Sequence, residues 1–539
     1  MSDPAEPVHP APETPVASPP ARLSAAARVA ARTPITRPKD PAELPQLPTL
    51  LMFFGAFVVA VHILFGRTDF DIGNRAFAVV PILPVLWETN RFHKLPRGTQ
   101  MPFGIYATFF YYVTFSFPAL FNTKFLDLSG PVVFSDAVRF EGTAAVAVSS
   151  LMIYAGIRLG EILGRKLQPS LLRIYPPKDI PTSYPRAIIW YALGCAAWTQ
   201  AVSLGAHLPA AIAVVATMVF SFSFVIGAVI FKPESFRGPW SRYLIPGVLA
   251  FGTLSGLLRG VIEPLFRLTL AAIMVRWVYL RRFSVGLVVV MVAVYVIFQP
   301  AKAKFRQQTW TVRGSEQVAG YEGRVDAWAL AFDDLWSSRD AGESTGESAV
   351  SRFLELDPVL HAFTLMPGRV HSAEGAAWKN IVYAPIPRFL WPDKPNSNDL
   401  DLSYGVTFNR QNEVGAQSTS IMLPLVVDGY WNYGWPGIVF VSIMTGLWVG
   451  LCQSIFAGDH WALKASAVAL FSLITVTGSF ALAYSGVTQQ IIGVTLASWI
   501  VYWLACFLNS KDHSARLRGI TRRPLAAPGP VLARRVTRP

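Results

Sequence analysis

A chain of 539 residues that is 52% hydrophobic and only 15% charged, with a mean hydropathy of +0.39, is not an ordinary soluble protein, in which about a quarter of residues are charged. The net charge of +14 would suit nucleic acid if it were spread over one surface, but residues 301–420 hold 12 basic and 15 acidic residues, so the excess lies in the tails and short connections. That is how positive charge is distributed when it is kept on the cytoplasmic side of a membrane, which excludes nucleic acid and makes membrane lipid an expected partner.

Residues 1–46 are rich in Pro and Ala with scattered Arg. Without an apolar stretch they predict a disordered cytoplasmic tail rather than a secretory signal. Crossing a hydrocarbon core takes about 20 apolar residues, and candidate runs follow at 50–65, 75–86, 102–121, 144–163, 187–204, 209–231, 243–262, 265–279 and 283–298. Three more stand at 435–456, 463–482 and 489–508. The second and eighth are short. Basic residues gather in every second connection: Arg91, Lys94 and Arg97, then Arg165, Lys166, Arg173 and Lys178, then Lys232, Arg237 and Arg242, then Arg281 and Arg282. The connections between them are neutral or mixed. The alternation predicts an all-α polytopic membrane protein of about twelve transmembrane helices, nine within 47–300 and three within 421–508. Both termini are then cytoplasmic and 301–420 forms a large extracytoplasmic loop. Residues 509–539, with Arg516, Arg518, Arg522, Arg523, Arg534, Arg535 and Arg538, read as a basic cytoplasmic tail, each charge drawn to anionic headgroups by about 1 kcal/mol. Cys195, Cys452 and Cys506 all fall in apolar runs and read as small core residues. The absence of a visible internal repeat speaks against an inverted-repeat transporter.

Within the loop, Tyr321, Val325, Trp328, Ala329, Phe332 and Trp336 recur at helical spacing, predicting an amphipathic helix over 320–336 that lies on the membrane surface or on the bundle. A second short helix is expected over 348–356, after an acidic Gly/Ser-rich turn at 337–347. Four prolines between Tyr383 and Pro395 exclude a continuous helix there and favour a stiff extended segment.

Three constellations are candidates for chemistry. Arg388 and Lys394 stand on the Pro-stiffened segment with Phe389 and Trp391; such cations suit phosphate or diphosphate oxygens, or the segment is an interfacial anchor in an aromatic belt. Arg259, Glu263 and Arg267 are four residues apart at the outer ends of two runs, where an Arg–Glu pair closing a hairpin is as good a reading as a ligand site. The third runs from Arg410, Gln411 and Glu413 to Asp428, Tyr430 and Asn432. A carboxylate there can orient or deprotonate a hydroxyl, and Asp428, in an apolar flank, needs a partner. Arg158 and Glu161 read as a structural pair. His361 and His371 are lone imidazoles, Asp399-Leu400-Asp401 is an isolated acidic pair, and no HExxH, CxxC or Walker A pattern occurs. No metal and no cofactor is indicated.

YAPIPRFLWPDKP at 383–395, QSTSI at 417–421 and DGYWNYGWPG at 428–437 resemble the signature region of bacterial polysaccharide polymerases of the Wzy type. Asp428 stands where that family more often carries Glu. The resemblance extends to many spans and a large late periplasmic loop. It implies a GT-C-like glycosyltransferase of the bacterial inner membrane that joins lipid-diphosphate-linked oligosaccharide repeat units on the outer face. An undecaprenyl-diphosphate-linked glycan is the implied substrate, with a chain-length regulator and a flippase as partners. Because the leaving group is a diphosphate, cations would carry the catalysis. By this carry-over Arg388 and Lys394 lead, Arg324, Arg410, Arg259 and Arg267 bind substrate with Trp391, Tyr430 and Asn432, and Glu413 and Asp428 orient or activate the acceptor. An O-antigen ligase would use the same donor with a different acceptor, and a polysaccharide or lipid transporter is the reading from a different class.

Overall fold

The computed structural model describes residues 55, 70–95, 100–121, 134–203, 215–217, 219–231, 236, 241–280, 284–309, 321–337, 355–366, 368–383, 386, 391, 399–411, 421–471 and 477–521. The predicted N-terminal tail, the first apolar run apart from Gly55, and most of 383–395 lie outside the described residues. Regular structure among the described residues is helical, and their one β-bridge pairs Pro424 with Gly478.

In chain order the helices begin with α1 (Ile72–Val79) and α2 (Ile82–His93), which split the run expected at 75–86. Asp71 caps α1, its carboxylate accepting from the Asn74 N–H at 2.7 Å. Next come α3 (Phe103–Tyr111), a π-helical turn (Tyr112–Ser116), α4 (Phe117–Phe121), α5 (Asp136–Leu172) and α6 (Tyr184–Ser203). They are followed by α7 (Phe222–Phe231), α8 (Ser241–Leu258), α9 (Glu263–Leu280), α10 (Val285–Thr309) and α11 (Tyr321–Ser337). The last are α12 (Leu356–Leu365), α13 (Lys379–Tyr383), α14 (Asp399–Thr407), α15 (Leu425–Ile455), α16 (Trp461–Phe471) and α17 (Phe480–Thr521). Four stretches are long and apolar enough to cross a membrane: Phe103–Leu120, Asp136–Leu172, Leu425–Ile455 and Ala483–Lys511. The other described runs appear as shorter or less apolar helices, so this criterion accounts for four of the twelve expected spans.

The closest helix pair is α5 with α15. Gly156, Gly160 and Gly164 recur every four residues on α5, and Gly446 and Gly450 do so on α15. A Cβ at Gly156 would stand 2.2 Å from the Ile443 carbonyl oxygen, and one at Gly450 would stand 2.1 Å from that of Ile157. Only glycine permits this backbone contact, the device of small residues at four-residue spacing in membrane helix pairs. Ser149 and Ser442 share a 2.8 Å hydrogen bond at one end of the seam, and Gln168 reaches the Ile455 carbonyl at 3.2 Å at the other. Residue numbers rise together on both helices, so the pair is parallel. Toward the Gln168 end the seam is closed by charge. Glu161, buried, is bonded by Arg91, by Arg158 at 2.5 Å and by the Gln453 amide at 2.7 Å. The expected Arg158–Glu161 pair is therefore one part of a network joining α2, α5 and α15.

Three expectations for the polar block shift. Its first residues, 301–309, continue α10, because Ala301 and Phe305 have an apolar partner. Trp328 of α11 stacks on Phe305 at 4.4 Å and donates through its indole N–H to the Leu257 carbonyl at 2.9 Å. The expected amphipathic helix exists as α11, but it buries Arg324, Ala327, Trp328 and Ala331, while Val325 and Ala329 face outward. The second short helix starts where the expected one ends. Residues 348–354 lie outside the described set, and α12 opens with Asp357-Pro358, an acid and a proline in the first turn where neither charge nor the missing N–H disturbs the helix. At the far end α17 runs to Thr521, into the stretch expected as tail.

Candidate functional site

The site is organised by a reversal inside α15. Tyr433 (φ −144°, ψ 25°) and Gly434 (φ 61°, ψ −143°) leave helical geometry. Only glycine adopts the second conformation freely. In a straight helix residues eight apart lie about 12 Å apart, yet a Cβ at Gly437 would be 2.0 Å from the Gly429 carbonyl oxygen. The first two turns of α15 thus fold back against its long arm, with glycine at 429 and 437 allowing the approach.

Asp428 sits in those first turns and is 0% exposed. One carboxylate oxygen accepts from the Trp378 indole N–H at 3.1 Å and the Asn432 amide at 3.0 Å. The other accepts from the Phe480 backbone N–H, the first of α17, at 2.9 Å. The acid therefore binds three elements together: α15, the 3-10 turn Ala376–Trp378, and the N-terminus of α17, where a negative charge also meets the positive end of the helix dipole. Its need for a partner is met three times over. Both oxygens are engaged and neither is exposed, so the geometry serves positioning rather than direct proton abstraction.

Beside it, α12 packs on α5, with Leu360 against Gly142, and on the π-helical turn, whose Thr114 carbonyl accepts the Glu355 N–H at 2.9 Å. Asp357, buried in the first turn of α12, pairs with Arg410 at 2.7 Å. One turn on, His361 bonds the Phe408 carbonyl at 3.1 Å. The turn after α14 that presents Arg410 is made by Asn409 in the left-handed region at φ 53°, which Asn tolerates better than most residues. Burial pushes the neighbouring Glu355 carboxyl up to about 7, with Arg410 opposing and Asp357 adding to the rise. Tyr430 stacks face to face on Phe363 at 4.0 Å, and Phe408 meets Trp431 edge-on at 5.4 Å.

Arg410, Asp428, Tyr430 and Asn432 are thus brought into one assembly at the start of α15. Arg259 and Arg324 belong to another set of contacts. Arg259 lies in the turn after α8, where Arg306 donates to the Gly260 carbonyl at 3.1 Å, and Arg324, 5% exposed, lies one turn before Trp328 on the docked α11. Arg267 is on α9 within electrostatic reach of Tyr106. Trp391 packs edge-on against Tyr383 at 5.1 Å. Arg388, Lys394 and Glu413 lie outside the described residues, and the side chain of Glu263 is likewise not described. Among the described residues no group of three His, Cys, Asp or Glu side chains is placed to hold a metal ion.

Sequence reasoning missed Asp357, Glu355, Trp378 and the loop Ser372–Gly375. For Asp357 a signal was present, an acid before proline at a helix start. Trp378 is 50 residues from Asp428, and nothing local marks that pairing.

A family model described as Domain of unknown function (DUF8712) matches residues 182–458, more than half of the chain, including Asp357, Trp378, Arg410 and Asp428 but not Phe480. No curated protein and no solved structure matches.

Proposed function

The chain belongs to the DUF8712 family, and from that membership, which assigns no activity, and the geometry of its site we propose that it is a membrane glycosyltransferase. It polymerises lipid-diphosphate-linked oligosaccharide repeat units on the outer face of the bacterial inner membrane. The observation that carries the reading is the behaviour of residues 428–437, the last part of the resemblance. They reverse at Tyr433–Gly434 and draw Trp378 and the head of α17 around one buried acid, with Phe408 of the Arg410 turn packed on the neighbouring Trp431. Such a frame suits a site that must hold two glycans against each other. Arg388 and Lys394 then neutralise the diphosphate leaving group, a role for which permanently charged multi-donor groups are suited.

The parallel course of α5 and α15 supports the topology of this reading. In a twelve-span chain with both termini cytoplasmic, the fourth and tenth spans both run inward, as a parallel pair must. The Glu161 network then lies toward the cytoplasmic side and the Asp428 assembly toward the outer side, continuous with the loop. Apolar side chains of α6, α7 and α8, among them Leu193, Phe222, Leu244 and Phe251, line a recess fit for a lipid tail.

The test is the glycan profile of a deletion strain complemented with wild type or with Arg388→Ala at matched membrane abundance. Single repeat units accumulating in the deletion and in Arg388→Ala are the expected result. Full-length polymer held on its lipid carrier in the deletion would instead identify a ligase, and unchanged polymer in the deletion would overturn both.

A further inference from the structure

The loop Ser372–Gly375 is strained and unusually well fastened. Glu374 has φ 49° and Gly375 φ 76°, two consecutive residues in the left-handed region. A glutamate rarely adopts that conformation, and where a turn merely needs it, Gly or Asn does so at lower cost. Four hydrogen bonds hold the loop to a single turn of α15, and a fifth braces it from within. The Ala373 N–H donates to the Trp431 carbonyl at 2.9 Å. The Ser372 hydroxyl reaches the carbonyls of Trp431 and Asn432 at 3.2 and 2.9 Å and accepts from the Glu374 N–H at 3.2 Å. The Tyr433 hydroxyl donates to the Glu374 carbonyl at 3.1 Å, in a space that exists because residue 375 has no Cβ, which would stand 2.3 Å from that hydroxyl.

The fastening uses the loop backbone and the Ser372 side chain, and leaves the Glu374 carboxylate exposed with no partner among the described residues. Aromatic rings lie close by: Tyr433, which bonds the Glu374 carbonyl, is 52% exposed, and Trp378 lies 5.1 Å from the Tyr433 ring. Strained residues persist where their surroundings over-determine them, and they cluster at functional sites. An exposed carboxylate on a fixed backbone, close to an open aromatic ring, has the two features that recognise a sugar. The carboxylate accepts from hydroxyls, and the negative ring face takes the C–H face of a pyranose.

We propose that Glu374, with the rings of Tyr433 and Trp378, forms a subsite for a sugar ring of the glycan substrate. The subsite rests on the glycan reading of the preceding subsection. Because Asp428 bonds Trp378, the buried acid serves as a positioning residue for this subsite.

The experiment uses the full chain in lipid nanodiscs. The probes are oligosaccharides released by mild acid from the producing strain's own lipid-linked pool and freed of phosphate, with binding read by calorimetry. Wild type is expected to bind. Glu374→Gln is expected to weaken binding at least about tenfold, the scale of one hydrogen bond to a charged group, with an unchanged melting temperature. Glu374→Gly is expected to weaken binding equally while raising the melting temperature, because it relieves the strain. Either variant binding as wild type does would overturn the subsite. So would intrinsic tryptophan fluorescence that responds to nanodisc lipid composition and not to oligosaccharide, which would make the rings an interfacial belt. The two readings fail separately. Binding lost in both variants while the deletion strain still makes normal polymer supports the subsite and sinks the polymerase. Polymer lost on deletion with no oligosaccharide binding by wild type does the reverse.

Discussion

At the scale of the residue, the molecule spends its buried charges on joining elements. Asp428→Asn would keep one acceptor but set an amide N–H2 against a donor from either Trp378 or Phe480, both of which now point at the carboxylate. A hydrogen bond to a charged group is worth roughly 1.5–3 kcal/mol, so this change is expected to cost at least about 2 kcal/mol. A lowered melting temperature in the purified protein checks it, and a group acting only as a base would lose activity without that loss. Glu355 gives a second expectation, with its carboxyl raised from near 4.5 to about 7. As pH rises between those values the unfolded chain ionises first, so stability falls through that window and the loss is complete above it. Wild type should therefore melt lower at pH 8 than at pH 5, and Glu355→Gln should flatten that difference. The need of Asp428 for a partner was legible in the sequence, because a charge in an apolar run demands one. Of its three partners only Asn432 is local; Trp378 and Phe480 were not legible, since they come from 50 and 52 residues away.

At the scale of the element, the seam between α5 and α15 and the docking of α11 carry opposite lessons. The seam is written openly as Gly156, Gly160 and Gly164 facing Gly446 and Gly450, a signal within reach of anyone counting glycines. Gly450→Ala would drive a methyl group into the Ile157 carbonyl and is expected to destabilise by about 1–3 kcal/mol or more. Gly486→Ala on α17, where a Cβ meets nothing within 4 Å, should be neutral or stabilising by about 0.5–1 kcal/mol. Detergent-solubilised melting temperatures separate the two. The face of α11 was misread for a physical reason. Trp328 docks as expected, but the rest of the docked stripe is Arg324, Ala327 and Ala331, a cation and small residues, whereas the more conspicuous Val325 lies outside. Trp328→Ala should release the helix at a cost of about 3–5 kcal/mol, seen as faster amide exchange over 321–337.

At the scale of the whole molecule, a helical architecture with stretches long and apolar enough to cross a membrane was legible from composition, because it is a property of sums. The number of crossings was less so, because several described runs form helices too short or too polar to meet a length-and-hydropathy test alone. The direction of the central pair offers a check on topology. In a cysteine-free background, Ser149→Cys with Ser442→Cys, whose hydroxyls now touch at 2.8 Å, should oxidise to an intramolecular cross-link. Ser149→Cys with Gln453→Cys, which an antiparallel pairing would bring closer, should not. The same pairing governs how the protein is made. Ser149 and Ser442 are separated by 293 residues, and ribosomes add about 5–20 residues per second, so roughly 15–60 s pass between the synthesis of the two halves of the seam. On the proposed topology, α5 waits through that interval in the bilayer with the glycine groove that α15 will fill still uncovered. It is then open to capture by another copy or by a membrane chaperone, and a nascent chain interrupted before α15 becomes a ready target for quality control.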